Sequence, residues 1–337
     1  GAVYRDPQVW RDGLREIRDL KPAYLLNTHA RAISGPAKVS EAVTNYMDLI
    51  TLTYDQTLRG ILQGLGPEDL RYFVYQPTSL TQWSYNAQAY GESRWYPPAV
   101  FQYQMGWYDG DVTELSKLPP RDTAGRLVTL MGGPEKVVAA AQGALDRKEY
   151  AWAAQLVEYV ARIDPTNAKA RAIQASAFRT LGQLSSSSIG RSFYISEARA
   201  LEGKETIPRL APPSANIIAS DPATFVDYFR VRIDPRKAEA INKVITFRLG
   251  GRTVGLHVRN GIAEFLPDPT KYTRKADLAL AMSPETWARL YLDPAGLKSA
   301  VRAGHATVLV GDVDSASDIL GLFDPLGPAP GSAPQAR

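Results

Sequence analysis

Apolar positions recur along the chain in several distinct textures. At the start, Trp10, Leu14, Ile17 and Leu20 stand three and four residues apart, which predicts one face of an amphipathic helix. Ala23 to Leu26 is a short apolar run and predicts a buried strand, with Ser34, Gly35 and Pro36 breaking into the next element. A long helical pattern over 37–63 passes through Val39, Val43, Tyr46, Ile50, Leu58 and Leu62. Gly64 and Gly66-Pro67 stop it. Residues 72–110 have no clear period and are crowded with rings, from Tyr72 and Phe73 to Trp107 and Tyr108. Such rings form either a core or subunit interface, or an apolar substrate channel.

After Pro119-Pro120 the pattern is helical again, with Ala-rich helices over 135–147, 150–163 and 167–181. Ser185 to Ser188 make a polar loop before a further helical stretch over 191–201. Residues 210–214, with two prolines, read as a linker, and the texture then changes. A helix over 221–228 leads into alternating segments at 228–233, 244–249 and 253–258, which predict strands. Gly250-Gly251 and Asn260-Gly261 read as hairpin turns, followed by strands at 262–266 and 276–282. Helices over 284–291, 295–304 and 315–322 complete an α+β domain of residues 215–325. Residues 326–337, rich in Pro, Gly, Ala and Ser, predict a disordered tail.

The opening helix and strand are half of an α/β unit, and the strand has no sheet of its own within the sequence. They are expected to pack on a segment that precedes Gly1. The 337 residues suit two or three domains. A hydrophobic content of 45% with 22% charged residues is that of a folded chain. No apolar run approaches the roughly 18 residues of a membrane helix, so no transmembrane segment is expected. The net charge of +4 comes from interspersed signs with no basic stripe, which argues against a nucleic-acid partner. The chain has no cysteine, which removes disulfides, thiolate ligands and thiol nucleophiles together. This fits an exported bacterial protein, periplasmic or secreted, and leaves a cytoplasmic location open.

Only three histidines occur, His29, His257 and His305. A two-zinc centre needs several imidazole or carboxylate ligands, so the polypeptide alone is not expected to build one. His257 and His305 lack acidic or His companions at ligand spacing and read as ordinary. On residue pattern alone His29 is a loop histidine capping Ser34 or a backbone group.

Asp164, Pro165, Thr166 and Asn167, with the small residues that follow at Ala168, Ala170, Ala172, Ala175 and Ala177, resemble a tetratricopeptide helix pair. A repeat array needs about three such units, which argues against a peptide-adaptor role. Several further blocks resemble a single family, the zinc-dependent alkylsulfatases of the metallo-β-lactamase type, related to dodecyl sulfate hydrolases. They are the opening residues 1–11 with Leu25-Leu26-Asn27-Thr28-His29, and Tyr54 to Arg59. Next come Ala99-Val100-Phe101-Gln102 with Gly106 to Gly110, then Gly132-Gly133 and Arg191 to Tyr194. The last domain, with Gly304 to Asp312 and Leu320 to Asp324, resembles a sterol-carrier-protein-2-like fold. The blocks stand in the family's order across nearly the whole chain.

The resemblance implies a multidomain architecture. Residues 1–60 would be the tail end of an α/β metallo-β-lactamase domain with its connecting helix. Residues 61–209 would be an all-α dimerisation domain, and 215–325 the sterol-carrier-protein-2-like domain. It implies a homodimer that hydrolyses sulfate esters of hydrophobic alcohols by a metal-activated water. Two zinc ions per assembled protomer would be held mostly by an N-terminal metallo-β-lactamase segment outside these residues. His29 matches a family zinc ligand. Where primary alkylsulfatases have a sulfate-holding His, this chain reads Ser93-Arg94-Trp95. Arg94 is either a bidentate sulfate contact or a surface arginine, and that difference leaves dodecyl sulfate uncertain as the preferred substrate. Trp95, Trp107 and Tyr108 complete the candidate substrate-binding set, with a core role for the last two the alternative. Without the preceding segment the chain reads instead as a non-catalytic dimerisation and lipid-binding scaffold.

Overall fold

The computed structural model describes residues 6–206 and 212–326. They fall into two compact units, one on each side of residues 207–211. The expected linker lies partly outside the described residues, and the expected tail lies outside them from residue 327 onward.

The first unit opens with helix α1 (Pro7–Asp19), started by Asp6, whose carboxylate accepts from the Gln8 N–H at 2.7 Å. Strands β1 (Tyr24–Leu25) and β2 (Ile33–Ser34) follow, then helix α2 (Pro36–Leu62). The predicted helices at both places are present. The buried strand over Ala23–Leu26 is not. β1 pairs with β2 in an antiparallel ladder of two residues each, and Tyr24 and Leu26 are 70% and 81% exposed. Two residues on a lone ladder have nothing to cover them.

α1 lies along α2, where Trp10 meets the Tyr46 ring edge-on at 5.8 Å. The buried Tyr54 hydroxyl accepts from both the Gln8 and the Gln104 side-chain amides at 2.8 Å. The latter comes from α5 (Tyr96–Met105), reached after α3 (Pro67–Phe73) and the single turn α4 (Thr78–Thr81). The aromatic stretch is therefore more regular than its sequence suggests. Pro97 and Pro98 fall in the first turn of α5, where their missing N–H groups leave no bond unmade. The expected divide near residue 60 falls in the last turn of α2, inside the first unit.

Helices α6 (Pro120–Leu130), α7 (Pro134–Asp146), α8 (Tyr150–Ile163), α9 (Ala168–Leu184) and α10 (Ser188–Leu201) follow, each of the last three packed on its predecessor. Their core is built on small residues, Ala141, Ala144, Ala153, Ala170 and Ala177, with Val157, Val160 and Ile173 filling between. Small side chains let the axes approach, as the tetratricopeptide-like sequence implied. Asn167 caps α9 by accepting from the Ala170 N–H at 3.0 Å.

The second unit holds α11 (Ala215–Ser220), α12 (Pro222–Phe229) and α13 (Pro235–Ala238). Five strands form its sheet: β3 (Asn242–Leu249), β4 (Arg252–Arg259), β5 (Ile262–Leu266), β6 (Leu278–Met282) and β7 (Ala306–Val310). Their order is β5-β4-β3-β6-β7, antiparallel except for the β3–β6 pair. Helices α14 (Pro284–Leu292), α15 (Leu297–Arg302) and α16 (Val313–Leu320) complete it. The core gathers Trp287, Phe229, Phe247, Leu256 and Leu280, all fully buried. Asn260 and Gly261 both have positive φ, 51° and 75°, as the turn between β4 and β5 requires.

One predicted strand is absent. The alternation over 228–233 belongs to the end of α12 and a 3₁₀ turn at Arg230–Arg232. There the Arg232 guanidinium donates to the carbonyls of Tyr291 and Asp324 at 2.5 and 2.6 Å and lies over the Phe229 and Tyr291 rings. Tertiary contacts outweigh the local period.

Candidate functional site

His29 lies on the bend between β1 and β2 and is exposed. The bend is held locally, with the Asn27 amide donating to the Arg31 carbonyl at 3.3 Å and the Gly35 N–H to the Ala23 carbonyl at 2.8 Å. Among the described residues no group of three or more His, Cys, Asp or Glu side chains could hold a metal ion. His29 is thus one potential imidazole donor presented outward, and the described residues do not by themselves fit a zinc centre.

Arg94 and Trp95 stand on a 3₁₀ turn, Ser93–Trp95, directly before α5. The exposed Arg94 guanidinium lies 5.2 Å from the centre of the Tyr72 ring, and among the described residues no carboxylate pairs with it. Its backbone carbonyl accepts from Arg71, whose fork is otherwise taken by Glu68 at 2.7 and 3.0 Å. That bond holds the Glu68 carboxyl below its ordinary pKa. The Arg94 charge therefore remains available to an anion.

Trp95 is half-buried, and Gly190 near the start of α10 explains why. A Cβ at Gly190 would stand 2.6 Å from Glu92 Oε1 and 3.3 Å from Trp95 Cη2. Ser185 Oγ donates to the same Glu92 oxygen at 2.8 Å. Trp95 thus helps seat its turn against α10.

Trp107 and Tyr108 follow the Gly106 that ends α5, with rings edge-to-face at 5.7 Å. Trp107 is 72% exposed among the described residues. The ten residues of α5 separate this pair from Arg94 and Trp95 by about 15 Å of helix. The four candidate substrate residues thus form two pairs at opposite ends of α5 rather than one cluster.

Comparison with known proteins identifies the two units. Residues 67–204 match the family model for alkyl sulfatase dimerisation, and residues 213–329 match that for the alkyl sulfatase C-terminal domain. The chain carries the alkylsulfatase dimerisation and C-terminal domains in sequence. It is 30% identical to a linear primary-alkylsulfatase from Pseudomonas sp. over 97% of this chain and 62% of that protein. It is 31% identical to an alkyl/aryl-sulfatase from Saccharomyces cerevisiae, over 71% of this chain and 38% of that protein. Among solved structures, a stereoselective inverting sec-alkylsulfatase from Pseudomonas sp. superposes with a TM-score of 0.83 at 24% identity. That match covers 98% of this chain and 52% of the other, and it shows a common fold. The chain thus spans between about two fifths and about three fifths of the length of the curated relatives it matches.

The alkylsulfatase C-terminal domain contains a polar cluster that the sequence pattern did not reveal. His257 on β4 is buried. Its Nε2 lies 2.8 Å from Asn242 Oδ1, which can only accept, so Nε2 carries the proton. Nδ1 then accepts from the Tyr272 hydroxyl at 2.7 Å and from Arg259 at 3.1 Å. Arg259 also pairs with Glu264 at 2.6 Å, and Arg274 also donates to Asn242. Hairpin register was the available signal. The Asn260-Gly261 turn sets Arg259 opposite Ile262, and hence His257 opposite Glu264.

Burial and the neighbouring Arg259 and Arg274 charges lower the His257 pKa, outweighing Glu264 and Asp277. The unfolded chain, with an ordinary pKa of about 6.5, then binds the proton first as the pH falls. The stabilisation is complete above that value and is lost as the pH drops towards the lower folded-state pKa. Urea midpoints should fall between pH 7.5 and pH 5.5, and His257→Gln should flatten that difference. An equal pH dependence in both proteins would refute the assignment.

Proposed function

We propose that this chain forms the dimerisation and C-terminal portion of a zinc-dependent alkylsulfatase that hydrolyses sulfate esters of hydrophobic alcohols. The supporting observation is the ordered match of both alkylsulfatase domain models, together with relatives whose names are those of alkylsulfatases. The catalytic zinc and the water it activates belong, on this reading, to an N-terminal metallo-β-lactamase segment. The opening residues are the tail of that domain, and His29 is the one ligand contributed from here. The apolar side chains left exposed on and just after α1 and β1, including Trp10, Leu20, Tyr24 and Leu26, suit packing against such a segment.

Arg94, with an unpaired guanidinium, is the sulfate contact, supported by Trp95. Trp107 and Tyr108, about one and a half nanometres away along α5, meet the alkyl part. A chain of ten or so carbons spans that distance, and each methylene removed from water contributes about 0.8 kcal/mol. The C-terminal domain, with one sheet and helices about an aromatic core, is of the sterol-carrier-protein-2-like kind and takes up the hydrophobic alcohol. The assembled enzyme is a homodimer exported to the periplasm or secreted.

A second reading is favoured by the donor set. With no cluster of three metal-ligating side chains among the described residues, the isolated polypeptide is a non-catalytic scaffold. One experiment addresses both readings. The chain is produced alone and joined to a metallo-β-lactamase segment, and both are assayed for zinc content and for sulfate release from primary and secondary alkyl sulfates. The joined protein should hold about two zinc ions per protomer and turn over, and the isolated chain should do neither. A zinc-loaded joined protein that releases no sulfate would defeat the enzymatic reading.

A further inference from the structure

The turn that carries Arg94 is not held by its own backbone alone. Residues 87–92, between the 3₁₀ turns Ser84–Asn86 and Ser93–Trp95, belong to no helix or strand. Such a segment takes its shape from the groups it bonds to. Four of its bonds come from one place, the serine run at 185–188 that joins α9 to α10.

The serines hold the segment at successive points. The Ser186 hydroxyl donates to the Gln88 carbonyl at 3.2 Å, the Ser188 N–H to the Ala89 carbonyl at 2.8 Å, and the Ser187 hydroxyl to the Tyr90 carbonyl at 2.6 Å. Ser185 reaches furthest along, to the Glu92 carboxylate. Ser187 is wholly buried, and its oxygen also accepts from the Gly190 N–H at 3.0 Å. One hydroxyl therefore caps α10 and anchors the segment at once.

The residues held in this way are the ones that close the Arg94 turn. The Glu92 carbonyl accepts from the Trp95 N–H at 3.0 Å, and the Gln88 side chain accepts from the Ser93 N–H at 2.7 Å. From the other side, Arg71 of α3 donates to the Arg94 carbonyl at 3.2 Å. The backbone beneath Arg94 is thus fixed from two directions, while its guanidinium is exposed.

We propose that Ser185 and Ser186 are positioning residues for the sulfate group, acting through Arg94. The proposal rests on the reading of Arg94 as the sulfate contact and adds what aims it. A bidentate arginine contact needs both N–H groups in register with two oxygens of the anion. A turn fixed before the substrate arrives loses less freedom on binding, so loosening it weakens capture of the sulfate rather than the chemical step.

The test is steady-state kinetics with an alkyl sulfate on the protein joined to its metallo-β-lactamase segment. The variants are Ser185→Ala and Ser186→Ala together, Ser185→Thr, Arg94→Ala, and the two alanine changes combined with Arg94→Ala. Circular dichroism and zinc content check that each is folded and loaded. The paired alanine variant should show a KM about tenfold higher with kcat changed less than about twofold. Ser185→Thr, which keeps the hydroxyl, should stay near the wild-type KM. In the Arg94→Ala background the same two alanine changes should move KM less than about twofold, since no guanidinium is left to aim. An equal factor in both backgrounds would mean a general loosening of the loop, and would overturn the proposal while leaving Arg94 as the sulfate contact. An unchanged KM in the paired alanine variant would do the same. An unchanged KM in Arg94→Ala alone would overturn both.

Discussion

His29→Ala, placed in the protein joined to its metallo-β-lactamase segment, is expected to lower kcat/KM for an alkyl sulfate by more than about 100-fold. Loss of outer contacts around a metal typically costs 10–100-fold, and loss of a ligand exceeds that. Zinc should fall with it, from about two ions per protomer to about one, as read by elemental analysis. The reasoning is local. His29 sits on a bend closed by the Gly35-to-Ala23 hydrogen bond, is exposed in this chain, and is the only histidine of the first unit. A histidine that merely finishes a loop would leave both readings untouched, so unchanged zinc content removes it as a ligand.

The second large effect concerns stability. Trp287→Ala should destabilise the C-terminal domain by about 3–5 kcal/mol, the usual cost of truncating a large buried ring. Trp287 is wholly inaccessible and packs at 5.0 Å from Phe247, 5.4 Å from Phe229 and 6.2 Å from Tyr291. Its indole N–H is buried with no hydrogen-bond partner among the described residues. Trp287→Phe therefore sacrifices ring volume but no hydrogen bond, and should cost clearly less than the alanine variant. Urea unfolding followed through the sheet signal would measure both. Equal losses for Phe and Ala would show that the nitrogen has a role that packing alone does not explain.

Much of this architecture is legible in the sequence. The helix Tyr150–Ile163 was expected at the same residues, and the Asn260-Gly261 turn fell where two positive-φ residues are needed. Periodicity and turn chemistry are local, so sequence reports them well. Three features were not local. The alternation at 228–233 resembled a strand, yet Arg232 bonds carbonyls from two distant parts of the chain, and that decides its shape. The ten residues of α5 were hidden among rings and prolines that carry little helical signal. The burial forecast for Ala23–Leu26 presumed a covering sheet that these residues do not supply.

The candidate site was legible by composition but not by arrangement. Three histidines narrowed the metal candidates to His29, but did not show how that residue is presented. That Arg94 and Trp107 stand at opposite ends of one helix could not be read without knowing that α5 exists. The His257 cluster was invisible for a related reason, since Asn242, Tyr272 and Arg274 come together around it only once β3, β4 and the segment after β5 have folded.

α5 also fixes the angular phase between those two ends. Each residue added to an α-helix advances the next by about 100° around its axis. A single insertion between Tyr96 and Met105 would swing Trp107 and Tyr108 about a quarter-turn away from their present bearing relative to Arg94. Insertions of three or four residues restore the bearing while lengthening the gap. Descendants of this chain can thus vary the reach between the two ends only in steps of roughly one turn, about 5.4 Å at a time.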